Sequence, residues 1–287
     1  MNLFIKNIIA MTLSLSVNAN TDLTLLKNGE SLHTTNLQKL KDKFDVQKVT
    51  IFNPYTLKPE TYNAFSMKQI LSSSYTNKWI NEFAIRVTTK DGYLPIIETY
   101  KFQERKAFLA FSRADNKKFV SLTMYKEKIV DLAPYYLIWI EDKEKFPSRR
   151  KAHWPYKVTG FDLISNVPEV IVPPKDADKK IKWGYENVRK HCLSCHSIYG
   201  YGSTKVGELI TNNLTKKFSD KKLRQLIHNP RSIDKKNQMP RFSPKIDMRK
   251  SRIKNIVHYL RFLEKRGSRK RVKSTKTLIK TIEEKIN

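Results

Sequence analysis

The chain has 287 residues, with 56 lysines and arginines against 27 acidic side chains, a formal charge of +29. That length carries a sizeable core and room for two domains. So strong a positive field steers toward acidic redox proteins, anionic lipid heads or other polyanions, and the two cysteines exclude a zinc site made of four thiolates.

Residues 1–19 read as a cleavable signal peptide. Lys6 supplies the positive n-region, Ile8 to Val17 a short apolar core, and Val17-Asn18-Ala19 a small-residue cleavage site. The apolar run is too short to span a bilayer comfortably. The mature protein is expected in the periplasm.

Residues 20–175 read as a mainly β region with a few short helices. Val49 to Phe52 starts a strand-like rhythm, and Met67 to Ser72 reads as a short helix. Glu82 to Thr89 alternates and is rich in β-branched residues. Asp91-Gly92 is a turn signal, and Tyr93 to Tyr100 resumes an extended pattern, which together predict a hairpin. Ala107 to Ser112, Ala133 to Glu141 and Tyr156 to Ser165 read as further strands. The run Tyr135 to Ile140 is too apolar for a surface strand. Arg149, Arg150, Lys151 and His153 form a basic cluster. Val167 to Lys180, with Pro168, Pro173 and Pro174 followed by mixed charge, reads as a domain boundary.

Thr89-Lys90-Asp91-Gly92-Tyr93, Lys106 to Ala110, Ala133 to Trp139 and Trp154 to Val158 resemble stretches of the sulfite-oxidase-type molybdopterin-binding domain. That family holds molybdenum through a cysteine thiolate, and residues 20–175 contain no cysteine. The resemblance therefore implies a scaffold or docking module, with molybdopterin not expected.

Both cysteines lie in Cys192-Leu193-Ser194-Cys195-His196, the attachment spacing of a c-type haem. Cys192 and Cys195 on one turn can form thioethers with one porphyrin edge, and His196 then offers a ring nitrogen to the iron. A thioredoxin-like pair usually follows a strand, whereas Trp183 to His191 reads as a helix. Covalent haem attachment in bacteria is extracytoplasmic, which agrees with export and disfavours nucleic acid as a partner. The two thiols would be consumed by haem, so no disulfide is expected.

Residues 176–265 resemble a class I c-type cytochrome. The resemblance rests on Gly184 ahead of the haem motif, on Gly200, Gly202 and Val206-Gly207-Glu208-Leu209 after it, and on Gln238-Met239-Pro240 in the loop beyond the helix Asp220 to His228. It implies an all-α fold, a backbone carbonyl near Gly207 orienting His196, Met239 as second axial iron ligand, and a last helix crossing the first at Gly184 and Tyr185. Glu208 stands where the family has proline. Rival sixth ligands are Met248, His228 and His258.

The expected fold is thus multidomain: a mainly-β (α+β) N-terminal domain followed by an all-α cytochrome domain, then a basic tail at 266–287. The expected function is electron transfer through one covalent haem c, with His196 and Met239 as iron ligands. Lys205, Lys216, Lys217, Lys235 and Lys236 would guide an acidic redox protein, and an anionic membrane surface is a further possible partner. The alternatives are a haem enzyme or sensor with an open sixth position, and the cytochrome subunit of a molybdenum-type oxidoreductase.

Overall fold

A computed structural model describes residues 21–53, 56–122, 129–140, 153–211, 215, 217–244 and 246–266. The expected signal peptide, the basic residues Arg149 to Lys151, Lys216 and the tail beyond Arg266 lie outside the described residues.

The chain opens with β1 (Leu23–Lys27) and β2 (Glu30–Thr35), paired antiparallel across Asn28-Gly29. Both turn residues have positive φ, 53° and 89°, the conformation that tight hairpins favour. Asn36 caps α1 (Leu37–Lys43) by accepting from the Lys39 N–H at 3.0 Å. Then come β3 (Gln47–Phe52), β4 (Pro59–Ser66), α2 (Met67–Tyr75), β5 (Ala84–Thr89), β6 (Ile96–Glu98) and α3 (Thr99–Glu104). β7 (Lys106–Arg113), β8 (Val120–Leu122), β9 (Ile129–Asp131), β10 (Tyr136–Ile140) and β11 (Val158–Ile164) complete this part.

Two sheets result. The first has the order β2-β1-β11-β5-β6, with β1 parallel to β11 and its other pairs antiparallel. The second is antiparallel in the order β10-β7-β4-β3. β8 pairs with β9 alone. A single core joins the two sheets and α2, with Leu25, Tyr62, Phe65, Met67, Trp139 and Phe161 all closed to solvent. Each such side chain contributes about 1.5–3 kcal/mol on burial.

β10 occupies a sheet edge yet is buried through Trp139, as its apolar sequence requires. The segment after the undescribed stretch covers that edge. The Leu137 N–H donates to the Pro155 carbonyl at 2.9 Å, and Tyr136 bridges Tyr156. An apolar edge strand is thereby closed to other chains.

The expected extended run from Tyr93 to Tyr100 ends early. β6 holds only three residues, and Tyr100 belongs to α3. The polar stretch after Leu37 begins as helix α1, because Asn36 satisfies its first turn while Leu40 buries its inner face.

The C-terminal region comprises α4 (Lys179–His191), β12 (Ser197–Ile198), β13 (Tyr201–Gly202), α5 (Asp220–His228) and α6 (Arg249–Arg266). Here the structure corrects the expected fold class. Among the described residues the chain is α+β with four sheets, and its C-terminal part is not a distinct all-α domain. β12 and β13 form a small antiparallel ladder within it. Its apolar core also takes in Ala84 of β5, Ile96 of β6 and Ile171 of the proline-rich segment. The physical reason is coverage: α4, α5 and α6 leave part of that core uncovered, and strand residues from far up the chain complete it.

α4 and α6 cross where Gly184 removes a side chain. A Cβ there would lie 2.1 Å from the Asn255 carbonyl oxygen and 2.6 Å from the Tyr259 Cβ. Beside that crossing the Tyr185 and Tyr259 rings meet edge to face, 5.8 Å between centroids. The Tyr259 hydroxyl donates to the Ile171 carbonyl at 2.6 Å, which ties the proline-rich segment to α6.

Candidate functional site

α4 runs to His191, and the Cys192 N–H makes its last helical bond, to Val188. One further turn follows. The Cys192 carbonyl accepts from the N–H groups of Cys195 (3.1 Å) and His196 (2.8 Å). Cys192, Cys195 and His196 are therefore carried by one turn, and all three are half-buried, still open to solvent. Burial pushes the Cys192 thiol up to about 12 and raises Cys195 as well. Both stay protonated at neutral pH, unlike the activated thiolate of an exchange enzyme.

The His196 ring is oriented by its own chain. Its Nδ1 lies 2.8 Å from the Gly207 carbonyl, which can only accept, so Nδ1 carries the proton. Burial also lowers the imidazole's affinity for a second proton. The ring is neutral at pH 7, and its Nε2 carries the lone pair that a metal needs.

The loop presenting Gly207 is fixed by Glu208. Its carboxylate accepts from the N–H groups of Tyr199 (3.2 Å), Ile210 (3.0 Å) and Thr211 (2.5 Å). Three amide donors on one carboxylate hold the loop at both ends. Gly202 closes the other side. It has φ +113°, and a Cβ there would lie 2.4 Å from the His196 carbonyl oxygen.

Met239 stands in the loop after α5, half-buried, and packs on the same apolar cluster as Cys192. Its N–H donates to Asn237 Oδ1 at 2.9 Å. Phe242, close behind, is buried against that core, bonds back to Ile227 at 3.0 Å and meets the His191 ring edge to face. The rivals lie elsewhere. Met248 is 72% exposed, His258 is exposed on α6, and a ring nitrogen of His228 pairs with Arg249 Nη1.

The turn is buttressed from the β5–β6 hairpin. The Leu94 N–H donates to Ser194 at 3.0 Å, the Ser203 hydroxyl to Gly92 at 2.7 Å, and Lys205 pairs with Asp91 at 2.6 Å. Lys205, Lys217, Lys235 and Lys236 are all exposed, Lys205 within its surface pair with Asp91. His153 bonds the Tyr93 hydroxyl through Nδ1 at 3.1 Å. Burial, then the charges of Lys101 and His191, drives its pKa down to about 4. The Asp91-Gly92 turn was legible as a hairpin turn, but nothing in the sequence shows that it also clamps the cysteine turn.

No family model and no curated protein matches the chain. Among the described residues no group of three or more His, Cys, Asp or Glu side chains is placed to hold a metal ion. The resemblances to the class I cytochromes and to the sulfite-oxidase-type domain are not upheld. Their short motifs are present, but no family match extends from them, and the all-α unit that the first implies is replaced by a fold with shared strands and a shared core.

Proposed function

We propose that the chain is an exported electron carrier that holds one covalent haem c through Cys192 and Cys195. One observation carries this reading: a single turn bears two thiols and a neutral imidazole whose Nδ1 is committed to the Gly207 carbonyl. The donor set fits the group. A porphyrin provides four iron ligands itself, so the protein needs no three-residue metal cluster. His196 Nε2 and the soft thioether of Met239 would hold the iron. When bound, the haem supplies a one-electron ferric/ferrous couple. The chain's own residues orient the imidazole through Gly207, keep Cys192 and Met239 in apolar surroundings, and exclude water with Phe242 and Leu193, both buried. The N-terminal sheets act as scaffold or docking module. The partner is an acidic redox protein, and the compartment is the periplasm.

The test is the absorption spectrum of haem-loaded protein, oxidised and reduced, with and without carbon monoxide, for wild type and Met239→Ala. A low-spin wild type indifferent to carbon monoxide, becoming high-spin and reactive in the variant, is the expected result. Failure of haem to survive acid-acetone extraction would sink covalent attachment. A wild type already reactive toward carbon monoxide would replace electron transfer by a haem enzyme or sensor.

A further inference from the structure

α5 and α6 lie antiparallel. Asp220, first in α5, pairs with Arg261 near the end of α6, and His228, last in α5, meets Arg249 at the start of α6. Between them opens a cavity of about 370 Å³ lined by Arg224, Gln225, His228, Lys250, Ile253 and Lys254. Ile253 is buried and belongs to the core, which makes it the floor.

The two banks are built from helical spacing. On α5, Arg224 and His228 are four apart and share a face; on α6, Lys250 and Lys254 do the same. Continuing each row outward by four adds Asp220 on α5, which Arg261 engages, and exposed His258 on α6. The antiparallel arrangement sets His228 against Lys250 and Arg224 against Lys254. Each helix has a single acid in its sequence, Asp220 on α5 and Glu264 on α6, and Arg261 engages both at the far end. Among the described residues no carboxylate lines the cavity, so its cations repel one another. A groove lined by one guanidinium and two ammonium groups, with His228 Nε2 already accepting from Arg249 and the Gln225 amide donating to Ser232, is complementary to a multiply charged oxyanion through Arg224, Lys250 and Lys254.

We infer that the α5–α6 groove is a binding site for a phosphate-bearing anion, taken as a free polyphosphate or as the headgroup of an anionic phospholipid. Arg224 makes forked bonds to the phosphate oxygens, and Lys250 and Lys254 close on it from the opposite bank. The groove is separate from the cysteine turn, and its binding stands whether or not a haem is attached.

Two probes distinguish the sources: inorganic pyrophosphate, and vesicles of phosphatidylcholine with and without phosphatidylglycerol. Full-length protein is compared with Arg224→Gln/Lys254→Gln and with Lys48→Gln/Lys58→Gln, which removes the same charge from exposed positions on and beside β3. The groove variant is expected to lose roughly tenfold or more in affinity, the control much less. Loss toward pyrophosphate assigns a free anion, and loss confined to the phosphatidylglycerol vesicles assigns a headgroup. In wild type, the amide resonances of Gln225, His228 and Lys254 should shift as either probe is added, a readout that needs no substitution. Equal losses in both variants, or no binding of either probe, would overturn the site.

Discussion

Arg189 Nη2 lies 3.0 Å from Glu98 Oε1, joining α4 to the end of β6 across 91 residues of sequence. Both side chains are nearly closed to solvent, 8% and 10% exposed. Lys101 and Glu186 extend the pair, and the Arg189 guanidinium sits over the Phe83 ring. This cluster fastens α4, the helix leading into the cysteine turn, to the sheet. Arg189→Ala leaves a buried carboxylate with one partner fewer and should cost about 3–5 kcal/mol, read by guanidinium unfolding at pH 7. Burial alone would raise the Glu98 pKa, but the Lys101 and Arg189 charges win and hold it at about 2, against an ordinary 4.5. A folded-state value below the unfolded one means stability present above pH 4.5 and lost as pH falls toward 2. That component is on the order of 3 kcal/mol. Glu98→Gln should flatten the acid limb of the stability curve; an unchanged limb would show that the pair carries no such linkage.

The crossing of α4 and α6 depends on the missing side chain at Gly184. A Cβ at 2.1 Å from a carbonyl oxygen cannot be absorbed by a rotamer change, because the Asn255 oxygen is backbone. Gly184→Ala must push the helices apart and should destabilise by about 3 kcal/mol. Tyr259→Phe, which removes only the hydroxyl bonded to Ile171, should cost about 1 kcal/mol. Thermal denaturation of the two variants orders them. Gly184→Ala no worse than Tyr259→Phe would contradict so close a crossing.

Among the lysines expected to guide a redox partner, Lys205 is set apart by its surface pair with Asp91. All four are exposed, Lys205 alongside Asp91, and Lys217, Lys235 and Lys236 elsewhere on the surface. If an acidic redox protein docks here, neutralising those three should slow its electron exchange at low ionic strength by roughly tenfold, an effect that fades as salt screens the field. Lys205→Gln should act mainly on the hairpin clamp and change the salt dependence little. Stopped-flow rates against ionic strength decide this; identical slopes for all variants would remove the steering role.

Legibility followed the range of the interactions. β3, β5, β7 and β11 announced themselves by alternation or apolar content, and α4 and α5 as the helices Trp183 to His191 and Asp220 to His228. β1 and β2 went unread, because β2 is exposed along almost its whole length and has no inner face to alternate. The two-residue strands β12 and β13 are too short for any period. The cysteine turn was legible because its chemistry is local. What holds it was not: Gly92, Leu94 and Glu98 lie about a hundred residues away, and a single sequence carries no sign of which turn meets which. Glu208 was legible only as a departure from a family's proline. Its three amide bonds emerge when the loop is seen folded.

Those bonds make Glu208 a positioning residue for His196. The Gly207 carbonyl can orient the imidazole only while its loop stays in register, and the Glu208 carboxylate ties Tyr199 on one side to Ile210 and Thr211 on the other. Charge-assisted bonds of this kind contribute about 1.5–3 kcal/mol each. Glu208→Ala should therefore speed hydrogen exchange at the amides of Tyr199, Ile210 and Thr211 by at least about tenfold, while β1 and β11 exchange as before. In haem-loaded protein a looser bond from Nδ1 makes the imidazole a weaker electron donor, so the reduction potential should rise. Glu208→Gln keeps one acceptor oxygen and should fall between wild type and alanine on both measures. Exchange rates that do not move would show that the loop is held by its backbone alone. A shifted potential with unmoved exchange would mean that the carboxylate acts by its charge rather than by holding the loop.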